Sequence, residues 1–177
     1  MTRSLERQLR KVGMGVALAA ALGALAATPA HAQGRVRFGL GGTGDFGLES
    51  GQGSRFGGMV LADIGARRRP LGLRLDFTLL RGQSRWSEVG TGALTWTFHT
   101  PLSIFHPYLL AGGGVYHAPD FTHPMAKFGG GLDYHVAHRN RGTVLFLEPT
   151  FNLIFAGSDA GGTFKSIQLN LGLKFGD

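Results

Sequence analysis

Two-residue alternation of apolar and polar side chains dominates the chain after residue 33. From Ile167 to Phe175 every odd-numbered position is large and apolar, whereas the even-numbered positions carry Gln, Asn, Gly and Lys. The stretch from Leu71 to Leu79 repeats this pattern, with Gly, Arg, Asp and Thr on the second face. Because successive side chains of a strand point to opposite faces, each stretch predicts a strand with one apolar face.

Turn-rich segments separate these stretches from further alternating ones, which begin near residues 35, 56, 94, 105, 125 and 145. No stretch after residue 33 has a sustained helical period. A nine-residue strand tilted by about 40° covers the roughly 25 Å apolar band of an outer-membrane barrel, and an even strand number leaves both termini on one side. The pattern therefore predicts an all-β fold, an eight-stranded antiparallel up-and-down transmembrane β-barrel.

The predicted connections alternate between two kinds. Outward loops are predicted at residues 41–54, 81–86, 117–123 and 156–162, and shorter periplasmic turns at residues 67–70, 100–103 and 138–142. Pro149 falls inside the seventh segment. Because proline has no backbone N–H to donate to a neighbouring strand, we expect a β-bulge there.

The first 32 residues read as a cleavable signal peptide. Four basic residues precede an uncharged run from Val12 to Ala27, which is shorter than the roughly 20 residues that a membrane-spanning helix needs. Ala30 and Ala32 then supply small residues at a cleavage site before Gln33. The predicted organisation is a signal peptide at residues 1–32, followed by one barrel domain at residues 33–177.

Composition narrows the function classes. The chain has no cysteine, which excludes a disulfide, a thiolate metal site and a lipid anchor on cysteine. The formal charge is +7, but the signal segment carries +3 of it, so the charge gives little support for nucleic-acid binding and we expect no such partner. Thirty of the 177 residues are glycine, which is well above the usual share of about 7%. On the inward faces of the strands, glycines would leave room for bulky lumen side chains.

Charged side chains fall almost entirely on the polar face of the predicted strands, as four acids and four bases. They are Arg37, Asp63, Arg74, Asp76, Lys127, Asp133, Glu148 and Lys174. In an eight-stranded barrel the lumen is just wide enough for side chains, so we predict that these residues neutralise each other there and leave no wide pore. A soluble lipocalin-like barrel also alternates but turns its apolar face inward around a ligand, and sequence alone leaves that alternative open.

Candidate chemistry is sparse. His117, Asp120 and His123 lie in one predicted loop and are weak candidates for a metal site, because a mobile loop rarely brings three ligands together. The run Gly39 to Gly44 matches the dinucleotide fingerprint, but no helix follows it. The chain contains neither a His-x-Ser pair nor a Gly-x-Ser-x-Gly elbow. We therefore expect no metal, no cofactor and no enzymatic activity.

The mature segment as a whole resembles the small outer-membrane β-barrel family that includes the barrel of outer membrane protein A and its X-type relatives. The resemblance is carried by residues 107–114 (Pro-Tyr-Leu-Leu-Ala-Gly-Gly-Gly), residues 127–134 (Lys-Phe-Gly-Gly-Gly-Leu-Asp-Tyr) and the closing segment up to Phe175. It implies a monomer in the cell outer membrane with a structural or surface-interaction role. Its partners would be outer-membrane lipids and, during insertion, the barrel-assembly machinery. Two alternatives stay open: a lipid-modifying outer-membrane enzyme, and a soluble periplasmic lipocalin-like binder of apolar ligands.

Overall fold

The computed structural model describes residues 34–49, 51–66, 70–83, 85–98, 104–136, 142–156 and 162–176. Eight antiparallel strands form a closed barrel in which each strand pairs with its neighbours in sequence and β1 pairs with β8. The strands are β1 (Gly34–Gly47), β2 (Ser54–Ala66), β3 (Leu71–Arg81), β4 (Trp86–Thr97), β5 (Phe105–Ala118), β6 (Phe121–His135), β7 (Thr143–Phe155) and β8 (Thr163–Phe175). The predicted eight-stranded up-and-down topology is confirmed, whereas the predicted signal peptide lies outside the described residues.

The two faces of the barrel wall differ sharply in polarity. Leu40 and Leu94 on the outer face are 57% and 58% exposed, whereas Lys127 and Glu148 in the lumen are 1% and 0% exposed. Among the described residues there is no helix that is long and apolar enough to cross a membrane. The apolar face is therefore the outer face, which contradicts the lipocalin-like alternative, because that fold places its apolar face inside.

The lumen is stratified along the barrel axis. We call the end at which β1 begins and β8 ends the terminal end, and the opposite end the mouth. Most of the buried charged residues lie in the terminal half, whereas Asp45 lies near the mouth. Nearer the mouth lies an apolar layer, a cluster of buried side chains against which Phe164 packs. The layer consists of Leu80, Val89, Tyr116, Ala118, Met125 and Ile154.

Glycines on the inner face allow the wall to curve tightly. A Cβ added at Gly112 would lie 2.5 Å from Cα of Ala93 on the neighbouring strand. A Cβ added at Gly131 would overlap the ring of Tyr108, which occupies the space above that glycine. These positions accept only glycine without a shift of the backbone or of a buried ring.

Two local predictions are corrected by the strand boundaries. The loop predicted at residues 41–54 is shorter, because β1 continues to Gly47 while pairing with both β2 and β8. The loop predicted at residues 117–123 reduces to residues 119–120 between β5 and β6. The predicted periplasmic turns lie largely outside the described residues.

The predicted bulge at Pro149 is wrong. The register between β6 and β7 is the same on both sides of this residue, with Gly129 opposite Thr150 and Leu132 opposite Leu147. Pairing with β8 continues through Pro149, which faces Leu169. The missing N–H is therefore accommodated by a local gap in the β6–β7 pairing and not by an inserted residue.

Candidate functional site

All eight predicted lumen charges lie on the inner face of the barrel. Arg37 comes from β1, Asp63 from β2, Arg74 and Asp76 from β3, Lys127 and Asp133 from β6, Glu148 from β7 and Lys174 from β8. The structure joins them into ion pairs that run across the lumen. We call this set the charged layer.

Arg74 and Glu148 form the centre of the charged layer. Arg74 donates two hydrogen bonds to Asp63, one of them at 2.8 Å from Nη2 to Oδ2, and its Nη1 donates to Oε2 of Glu148. The hydroxyl of Tyr108 donates to the same Oε2 at 2.8 Å. Asn170 donates to Oε1 of Glu148 at 3.2 Å. Both carboxylate oxygens of this fully buried residue are therefore satisfied.

Two lysines complete the layer from other strands. Nζ of Lys127 lies 3.1 Å from Asp76 and 3.6 Å from Glu148. Nζ of Lys174 lies 3.0 Å from Asp63 and 2.7 Å from Asp133. Arg37 stands at the edge of the layer, 3.9 Å from Asp133.

A ladder of neutral polar side chains continues the network on the β1, β7 and β8 side of the lumen. The Thr43 hydroxyl donates to Oδ1 of Asn170 at 2.6 Å, and the Gln168 amide donates to Thr43 at 2.9 Å. Asn152 donates to Oε1 of Gln168 at 3.0 Å. Together with the charged layer, this ladder fills the cross-section with side chains that hold each other in place.

Sequence reasoning missed a second polar cluster, nearer the mouth. Nη2 of Arg55 lies 2.6 Å from Oδ2 of Asp45, and its Nη1 donates to the hydroxyl of Tyr116. That hydroxyl in turn donates to Oγ of Ser87 at 2.8 Å. Arg55 has the same odd-numbered parity as Asp63 on β2, so extending the alternation of β2 by four pairs of residues would have predicted its inward position.

An open cavity of about 430 Å³ lies at the mouth, above the apolar layer. Arg55 and Tyr116 of the second cluster line it, together with Ile154 and Phe164. We call it the mouth cavity. This volume is large enough to admit a small molecule.

The three weak metal candidates do not converge. Residue His117 faces outward, where its Nδ1 lies 2.6 Å from Oγ1 of Thr122. His123 instead stacks on Phe121 on the lumen side. Asp120 pairs with Arg85 at the turn. Across the described part of the chain, no three His, Cys, Asp or Glu side chains are grouped as a metal site.

Comparison with known proteins gives a match of fold. No protein-family model matches the sequence, and neither does any curated protein sequence. Neisserial surface protein A (NspA) superposes with a TM-score of 0.60 at 18% identity, over 81% of this chain and 96% of that one. The outer membrane protein OprG of Pseudomonas aeruginosa gives 0.56 at 12% identity, over 83% and 97%.

Ail of Yersinia pestis, solved with the heparin analogue sucrose octasulfate, gives a TM-score of 0.53 at 12% identity, over 82% of this chain and 99% of that one. All three comparisons cover nearly the whole of the solved barrel. The chain therefore has the fold of the small eight-stranded outer-membrane β-barrels.

Proposed function

We propose that this protein is embedded in the outer membrane as a sealed barrel and has a structural or surface-interaction role at its mouth. The observation that carries the proposal is the inverted polarity of the wall: charged side chains are buried in the lumen, and large apolar side chains cover the outside. Exposing such a surface to water would be unfavourable, because each Å² of apolar area that is removed from water contributes about 25 cal/mol of stabilisation. In a bilayer the same surface meets hydrocarbon.

Aromatic placement supports the same environment. Trp86 and Trp96 stand at opposite ends of β4 and are both about half exposed on the outer face. The ten residues from one to the other, at about 3.3 Å per residue and a tilt of about 40°, span roughly 25 Å along the barrel axis. This equals the height of the apolar band of an outer-membrane barrel, whose edges are enriched in aromatic residues.

The packed lumen argues against a diffusion pore. Arg74, Lys127 and Lys174 are each 2% exposed or less and cross the lumen to acids on other strands. Opening a path through them would separate several buried ion pairs, each costly to break. The proposal therefore assigns interaction to the mouth and to the outer surface. Outer-membrane lipids and, during insertion, the barrel-assembly machinery are its expected partners, and the expected state is a monomer.

Cell fractionation combined with electrophoresis tests the location and the closed barrel. We expect the protein in the outer-membrane fraction, with faster migration in SDS when the sample is not boiled. Recovery in the aqueous fraction with no mobility shift would reject the proposal. Planar-bilayer recording of the purified protein tests the seal, for which we expect no steady conductance of the size of a water-filled porin.

The lipid-modifying alternative has its own test. We expect the lipid A composition of a deletion strain to match that of the parent strain, because the sequence has neither a His-x-Ser pair nor a Gly-x-Ser-x-Gly elbow. A specific change in acylation that the wild-type gene reverses would establish the enzymatic role instead.

A further inference from the structure

The mouth cavity has a cationic lining. Arg55, Arg85 and Lys165 line it, and no Asp or Glu is among the described residues that do so. Two acids reach the arginines from outside the lining: Asp45 pairs with Arg55, and Asp120 pairs with Arg85. Lys165 has the outward parity of Ile167 on β8, and Glu49 approaches the lining by accepting a hydrogen bond from Gln52 at 3.2 Å. The described charges therefore give no excess of cations, so an anionic occupant has to be selected by hydrogen-bond donors that are not yet used.

Arg55 still has hydrogen-bonding capacity. A guanidinium carries five N–H donors, and the structure uses one for Asp45 and one for Tyr116. Its Nε is buried and has no hydrogen-bond partner among the described residues. Asp45 and the ring of Tyr116, whose centre lies 5.1 Å from the guanidinium carbon, fix the side chain in place. A cation held in this way is preorganised for an anion, because little side-chain entropy is lost on binding.

Ser166 provides a second unused donor. Ser166 is 2% exposed and lines the cavity from β8. Oγ of Ser166 has no hydrogen-bond partner within the described ranges. A buried hydroxyl without a partner is unfavourable, and a rotation about its Cα–Cβ bond would let it donate to an acceptor in the cavity.

The rest of the lining is apolar. Ile154 and Phe164 form one wall and belong to or pack against the apolar layer beneath the cavity. Phe121 adds a ring that stacks on Tyr116. The cavity therefore combines fixed cationic donors with aromatic and aliphatic walls, which is the usual composition of a small-molecule site, and its size is within the range of such sites.

We propose that the mouth cavity binds a small organic anion with an apolar body, whose anionic group contacts Arg55 and Ser166 and whose body packs on Ile154 and Phe164. An aromatic carboxylate has this chemistry. The inference deepens the proposed interaction role at the mouth and rests on it. The binding measurement below can nevertheless be made on protein from any cell fraction, so a failure of the site and a failure of the membrane location give different results.

The test uses the full protein from isotope-labelled cells, purified from the fraction that contains it, in non-ionic detergent. Isoleucine methyl NMR is the readout, because Ile154 lines the cavity and Ile167 lies on the outer face of β8. Titration with 2-naphthoate should shift the Ile154 signal saturably, with a Kd of about 1 mM or below for a ligand of this size. The Ile167 signal reports partitioning of the probe into detergent and should not follow the same curve.

Two controls separate the parts of the proposal without altering the protein. The neutral analogue 2-naphthylmethanol should bind at least about tenfold more weakly, since hydrogen bonds to charged groups are the stronger ones. Inorganic phosphate alone should bind more weakly than naphthoate, because it leaves the apolar walls uncovered. Equal binding of the neutral compound, tighter binding of phosphate, or shifts shared equally by Ile167 would each overturn the proposal.

A matched pair of variants tests the hydroxyl. Ser166→Ala should weaken naphthoate binding about tenfold and should not lower the stability of the barrel, because it removes a polar atom that has no described partner. Thr163→Ala removes a hydroxyl from an exposed position on the same strand and should leave the affinity unchanged. Unchanged affinity of Ser166→Ala, or an equal loss in both variants, would refute the assignment of this residue.

Discussion

Neutralising Glu148 should destabilise the barrel by an amount that the lumen charges determine. Glu148 is fully buried and is contacted by Arg74 and Lys127. In Glu148→Gln each base keeps an acid partner, but the charged layer has four bases and only three acids, so it carries one uncompensated positive charge. Leaving a buried charge uncompensated costs about 3–5 kcal/mol of unfolding free energy.

The measurement is urea unfolding of the protein in lipid vesicles. Trp86 and Trp96 are the two tryptophans of the chain and both lie on the outer face, so their fluorescence reports the loss of lipid contact. With a urea dependence of about 2 kcal/mol per molar, the expected loss lowers the unfolding midpoint by about 1.5–2.5 M.

The double variant Glu148→Gln/Arg74→Met is the matched control. Because it also removes one base, the charged layer again has equal numbers of acids and bases. Asp63 still pairs with Lys174, and Asp76 still pairs with Lys127. Its destabilisation should fall short of the sum of the two single variants by about 1–3 kcal/mol, the usual coupling of residues in one network. A single-variant shift below about 0.5 M, or strict additivity in the double variant, would refute the account of the charged layer.

Two further perturbations test packing and environment. Gly131→Ala should cost about 1–3 kcal/mol, because the added methyl overlaps the ring of Tyr108, whereas Gly90→Ala meets open space and should be near neutral in the same unfolding assay. Leu169→Lys at the middle of β8 should cost about 2–4 kcal/mol in vesicles, and Thr163→Lys at the end of that strand at most about 1 kcal/mol. Equal costs at the two depths would contradict a bilayer around this surface.

The strands were most predictable where both faces carry side chains. The closing strand alternates large apolar and polar residues from Ile167 to Phe175, so its period and its orientation could be determined from the sequence. The far end of β1 could not be predicted in this way. Gly41, Gly42 and Gly44 have no side chains to alternate, and the strand continues there because backbone pairing with two neighbours supplies its hydrogen bonds.

The alternation along each strand predicted that the lumen charges point inward, but it did not predict which acid pairs with which base. Arg74 and Glu148 are 74 residues apart in the chain, and their contact depends on how the closed sheet is staggered. The second cluster was missed because Arg55 lies in a segment with weak alternation, rich in glycine and close to a predicted loop. Its partner Asp45 was itself placed in that loop.

Lys174 has a consequence for the growing chain. It lies near the end of the last strand, and it pairs with both Asp63 of β2 and Asp133 of β6. A truncated product lacking the final strand would also lack the partner of β1 and would contain an excess of acid in its core. The lumen charges therefore balance only when the final strand is present. Shortened chains should be poor substrates for insertion, because their interior carries a net charge.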